Sequence, residues 1–143
     1  MLFPKVAFYK GRHRLFDRLV QWWTRGPYSH CELVIEQAPS GMCCCISSSW
    51  CDGGVRAKWM FLPPERWDIV DTEGNPDAAR QWGLDHAGKR YDLLGLFGFV
   101  WRARRDNPRR WFCSEAVAAI LGFPEPWRFS PNDLSNILKR KGT

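Results

Sequence analysis

The sequence predicts an α+β fold: a small antiparallel sheet or half-barrel packed against helices, as a single domain over residues 1–143. Short β-rich runs divided by turn residues crowd the first half, and helical periodicities fill the second. A chain of 143 residues buries one sizeable core and has little room for another.

The elements follow in order. KVAFYK at 5–10 reads as the opening strand. RLFDRLVQWW then sets Leu15, Phe16, Leu19, Val20 and Trp23 at helical spacing, and Gly26-Pro27 closes that helix. SHCELVIE at 29–36, CCCISSSW at 43–50 and VRAKWMFL at 55–62 read as an antiparallel meander, cut by Pro39-Ser40-Gly41 and by Asp52-Gly53-Gly54, whose glycines suit a hairpin turn. RWDIVD at 66–71 adds a strand. Asn75-Pro76 reads as an N-cap with proline at the first helical position, opening a helix to about Gly88. A further helix is expected from Asp92 to Trp101, another from Cys113 to Gly122, and a last one capped by Ser130-Pro131 and running through Lys139.

Composition narrows the partners. The chain carries 21 Lys+Arg against 15 Asp+Glu, a formal charge of +6 that favours an anionic polymer or a membrane surface. The densest basic run, RARRDNPRR at 102–110, lacks the interleaved aromatics that stack on bases, so it reads as a solvated loop and no specific nucleic acid is expected. The longest apolar run, LLGLFGFVW, is too short to span a bilayer, and no export signal is evident, so a cytoplasmic chain as synthesised is expected. Trp22, Trp23, Trp50 and Trp59 fall at helix and strand spacing and are expected in the core, against the alternative of an apolar groove or lipid-facing surface.

Six cysteines do not form a plausible disulfide framework, because Cys43, Cys44 and Cys45 are consecutive and must alternate between strand faces. No C-x2-C pair occurs, so neither a metal nor a cofactor is expected.

Cys113 is different. It opens a helix whose Ala116, Val117, Ile120 and Leu121 share its face, and unpaired amides at a helix start stabilise a thiolate. Of three histidines, His13 and His86 sit in polar stretches and read as solvated. His30 stands at the start of a strand after a Gly-Pro-Tyr-Ser turn, where it can project toward a packed helix N-terminus. Alternation puts His30, Glu32 and Val34 on one strand face and Cys31 and Leu33 on the other; Glu32 then either orients the imidazole or is a surface carboxylate.

Together, YSHCELVIE followed by FCSEAVAAILG resembles the permuted branch of the NlpC/P60 superfamily of papain-like cysteine hydrolases, which includes YiiX- and YaeF-like proteins and relatives of lecithin retinol acyltransferase. In that branch, as here, the histidine strand precedes the cysteine helix. The resemblance runs from about Lys5 to Leu121 and implies a Cys113 nucleophile, a His30 base and a circularly permuted papain-like fold. The family's third polar residue falls at the start of the next strand, which here reads ISSSW; Ser47, Ser48 and Ser49 are therefore the alternatives to Glu32. Tyr91, in the Tyr-Asp step of GKRYDLLG, and Tyr28, in the turn before His30, are candidates for the substrate pocket. A serine hydroxyl accepts the imidazole N–H but cannot balance an imidazolium charge, which favours Glu32.

The resemblance implies cleavage of an amide or isopeptide bond in a cell-wall or other peptide. The alternatives are a lipid-directed acyltransferase or thioesterase using the same pair, and a basic interaction module without catalysis. The compact chain with its SHxE and FCSE motifs is also similar to small phage or prophage proteins of this branch.

Overall fold

The structure, a computed structural model, describes residues 3–49, 51–91, 110–111 and 113–142. Strands β1 (Lys5–Tyr9), β2 (His30–Gln37), β3 (Cys43–Ser49), β4 (Gly54–Met60) and β5 (Trp67–Asp71) form one antiparallel sheet in the order β4-β3-β2-β1-β5. Helix α1 (Leu15–Trp23) links β1 to β2, and α2 (Pro76–His86), α3 (Cys113–Ile120) and α4 (Pro131–Lys141) follow the sheet. The fold is α+β, with α1 set between β1 and β2 and the other described helices after the five-stranded sheet.

The expected meander is present as β2-β3-β4, but β5 leaves it and pairs with β1, Val6 facing Val70 and Tyr9 facing Trp67. Strand pairing is a long-range choice that local turn residues do not encode. A second, two-stranded parallel sheet joins β6 (Arg90–Tyr91) to β7 (Arg110–Trp111), which the sequence did not suggest. The helix expected over 92–101 and most of the basic run at 102–110 lie outside the described residues.

Local chemistry explains the helix ends. The Asn75 side chain accepts from the amides of Asp77 (2.9 Å) and Ala78 (3.3 Å), satisfying two donors that the first turn leaves unpaired. Ser130 and Asp133 form a reciprocal capping box around Pro131, while Lys139, Arg140 and Lys141 lie at the negative end of the α4 dipole. Gly122, at φ +78°, ends α3 in the left-handed region that glycine enters without a Cβ clash.

One sheet face carries the main core. Phe8 of β1, Leu33 of β2 and Ile46 of β3 pack with Val117 of α3 and Leu134 of α4, all essentially without solvent contact. Burial of each such side chain contributes about 1.5–3 kcal/mol before entropy is counted. The opposite face buries a smaller cluster of Ala7, Val34, Cys43, Cys45 and Trp67. β3 thereby splits its three cysteines, Cys44 toward the helices and Cys43 and Cys45 away from them, and all six thiols are free.

Helix α1 departs from expectation. Val20 is buried and Phe16 half-buried, but Leu15, Leu19 and Trp22 are exposed, while the polar Asp17 and Gln21 turn inward. The inward polar pair has partners there: Asp17 accepts from the Ser29 hydroxyl (3.2 Å), and Gln21 donates to the carbonyls of Gly11 and Pro27, both at 2.9 Å. Satisfying those carbonyls fixes which face turns in. Trp22 and Trp59 are thus solvent-facing, not core, and Trp23 is half-buried; Trp50 lies outside the described residues.

Candidate active site

The turn before β2 is what places the histidine. Asn132 of α4 accepts from the Tyr28 amide (3.0 Å) and donates to the Tyr28 carbonyl (2.9 Å) and to Thr24 Oγ1 (2.7 Å), so one side chain clamps the segment entering His30. Gly26 makes this approach possible, because a Cβ there would collide with Asn132. Ser29 is held by Asp17, and β2 then starts at His30.

From that position the imidazole reaches two groups. Its Nε2 lies 2.7 Å from Glu32 Oε1, and the ring is in hydrogen-bonding contact with the Cys113 thiol at the first residue of α3. Cys31, on the helix-facing side of β2, also meets the Cys113 sulfur. The ring keeps the Glu32 face that alternation assigns it, away from Cys31, at the terminal residue of the strand.

Glu32 is wholly buried and not a surface carboxylate. Its charge is matched by Arg56 of β4, whose Nη1 donates to Oε2 at 2.6 Å and whose Nη2 bonds Oε1. Arg56 is held in turn by Asp52, Nε to Oδ2 at 2.8 Å. The result is a row of groups of alternating sign, Cys113, His30, Glu32, Arg56 and Asp52. Arg56 and Asp52 were not singled out in the sequence, where VRAKWMFL reads as an ordinary strand and Asp52 as a turn residue.

Electrostatics favours the ion-pair state. Burial alone would lower the His30 pKa, but the facing Cys113 and Glu32 charges outweigh it and raise the imidazole to about 10. Burial alone would raise Cys113, yet the Cys31 thiol hydrogen bond and the imidazolium charge bring it down to about 5. Burial also opposes ionisation of Glu32, and the Arg56 and His30 bonds hold it below the usual carboxylate range. Near neutral pH the pair is therefore thiolate and imidazolium.

A cleft of about 230 Å³ opens beside this row. His30, Glu32 and Arg56 line it, with Tyr9, Phe16, Met60 and Trp67 as its apolar wall. Cys113 is fully buried and is not among the lining residues, so His30 is the group shared by the cleft and the sulfur.

The other candidates are placed as follows. Ser47 donates to the Cys31 carbonyl (2.7 Å), Ser48 is buried, and Ser49 lines the cleft; the carboxylate at 2.7 Å from the ring is that of Glu32. Tyr28 does not line the cleft: it is buried against Phe8, donates its hydroxyl to Asp68 and accepts from Lys139 (2.8 Å). The Tyr91 side chain lies outside the described residues. His13 is exposed, whereas His86 is half-buried and stacked on Trp82 at 3.9 Å between ring centroids. Among the described residues no group of three or more His, Cys, Asp or Glu side chains is arranged to hold a metal, and no helix is long and apolar enough to cross a membrane. Comparison with protein-family models and with curated proteins finds no match to the chain.

Proposed function

We propose that the chain is a cysteine hydrolase of the permuted NlpC/P60 type, cleaving an amide or isopeptide bond in a cell-wall peptide or similar substrate. The observation that carries the reading is the contact between the Cys113 thiol and the His30 imidazole, two groups far apart in sequence, with Glu32 bonded to the same ring. A thiolate beside an imidazolium is the resting state from which acyl transfer begins.

The Cys113 sulfur attacks the carbonyl carbon, forming a C–S bond and an oxyanion that amides of the first turn of α3 stabilise. His30 gives its proton to the leaving nitrogen as the C–N bond breaks. Water then adds to the thioester, His30 takes one of its protons, and the carboxylic acid departs as the thiolate returns. Glu32, held by Arg56, keeps the ring oriented throughout and stabilises its charge whenever it is protonated. The apolar wall of Tyr9, Phe16, Met60 and Trp67 supports a second reading, in which the acyl group comes from a lipid and the same pair serves an acyltransferase or thioesterase.

The test is intact-mass detection of an acyl adduct after incubation with peptidoglycan fragments, acyl-phospholipids or peptide pools. The mixture that adds mass names the acyl donor, and Cys113→Ser and His30→Ala should each abolish adduct and turnover. An adduct that persists in Cys113→Ser removes the nucleophile from this reading, and adduct formation from phospholipid alone replaces the hydrolase with the lipid enzyme.

A further inference from the structure

The outward face of α1 sets exposed apolar side chains among arginines. Leu15 is 83% exposed, Leu19 42% and Trp22 71%, at the i, i+4, i+7 spacing that makes one stripe. Arg18 lies in the same stripe, and Arg12, His13, Arg14 and Arg25 flank it, all exposed. The only acid between residues 11 and 25 is Asp17, and it is buried. Exposed apolar side chains ringed by arginine, with no exposed carboxylate among them, match an anionic interface with an apolar interior.

We infer that α1 is an interfacial helix, seating Leu15, Leu19 and Trp22 among the acyl chains of an anionic phospholipid bilayer while Arg12, Arg14, Arg18 and Arg25 meet the headgroups. A polyanion such as nucleic acid would satisfy the arginines but give no reason for the leucines. A second copy would bring arginine against arginine. Tryptophan beside arginine is the pairing that the headgroup boundary favours, because the indole buries its ring and keeps its N–H wet. The surface meets the cleft at Arg14, which lines it, so docking would hold the cleft mouth at the membrane plane. This inference does not rest on catalysis at Cys113.

Co-sedimentation of the full chain with vesicles tests it. Binding is expected to vesicles of phosphatidylcholine mixed with phosphatidylglycerol, not to phosphatidylcholine alone, and it should weaken as salt rises. Leu19→Ser with Trp22→Ser should weaken it roughly tenfold or more, and Arg18→Glu should weaken it as well. Cys113→Ser should bind as the parent does, which separates this result from any failure of the enzymatic reading. Because the substituted side chains face solvent, unchanged far-ultraviolet circular dichroism serves as the folding control. No binding to the mixed vesicles overturns the inference. So does binding that depends on Arg18 but not on Leu19 and Trp22, which marks a polyanion surface. Self-association abolished by the same double substitution, without vesicle binding, assigns the face to a second copy and also overturns it.

Discussion

Cys31 and Cys113 meet at their sulfurs yet titrate in opposite directions. Burial raises Cys31 well above an ordinary thiol, and the neighbouring Cys113 charge adds to that, so Cys31 stays protonated and donates. Cys113, against the same burial, is lowered to about 5 by that donor and by His30. The sign for reactivity follows. Thiolate is present above the lowered pKa and lost as pH falls through it, so alkylation of Cys113 should rise with a midpoint near pH 5. Cys31→Ala should move that midpoint upward, and His30→Ala should move it further, toward the range of a free thiol. Both are read from the pH dependence of iodoacetamide labelling by mass spectrometry; a Cys113 midpoint unchanged in His30→Ala would contradict the ion pair. The positions of Cys113 at a helix start and His30 at a strand start were legible in the sequence because both are local features. The sequence did not carry Cys31 as a donor, since alternation separates Cys31 from His30 and gives no hint that one sulfur can reach both.

At the level of elements, β3 separates the two members of a buried ion pair. Ser47 of β3 faces Arg56 in the β3–β4 register, and Glu32 stands beyond it on β2. A small residue at this crossing lets the guanidinium pass over to the carboxylate. This gives Ser47 a structural role. Arg56→Met would leave buried Glu32 with His30 alone to balance it and should cost about 3–5 kcal/mol in chemical unfolding. Adding Glu32→Gln should recover part of that loss, so that the double variant is less destabilised than the two single effects summed. The strands and caps were legible because turn residues and Asn75 or Ser130 mark their ends. The orientation of α1 was not: Leu15, Leu19 and Trp22 form one apolar stripe and Phe16, Val20 and Trp23 another, and only the inward hydrogen bonds of Asp17 and Gln21 choose between them.

Across the whole molecule, helices cover one face of the sheet and the cleft opens beside the His30 end of β2. The α+β class and its strand-first order could be read from the chain, because periodicity changes from two to helical spacing near residue 75. The return of β5 to β1 could not, because it joins segments about sixty positions apart through backbone bonds that any side chain allows.

The same layout sets an order of assembly. His30, Glu32, Asp52 and Arg56 all belong to the first sixty residues and come into contact when neighbouring strands zip together, whereas the sulfur arrives only when the α3 segment docks across a long chain separation. A refolding chain should therefore regain its sheet signal before Cys113 becomes reactive toward alkylating agents at mildly acidic pH, and a stopped-flow comparison of the two signals measures the lag. With the His30 strand ahead of the Cys113 helix, the chain order would thus act as a timer, leaving the thiol dormant until α3 has docked on the sheet.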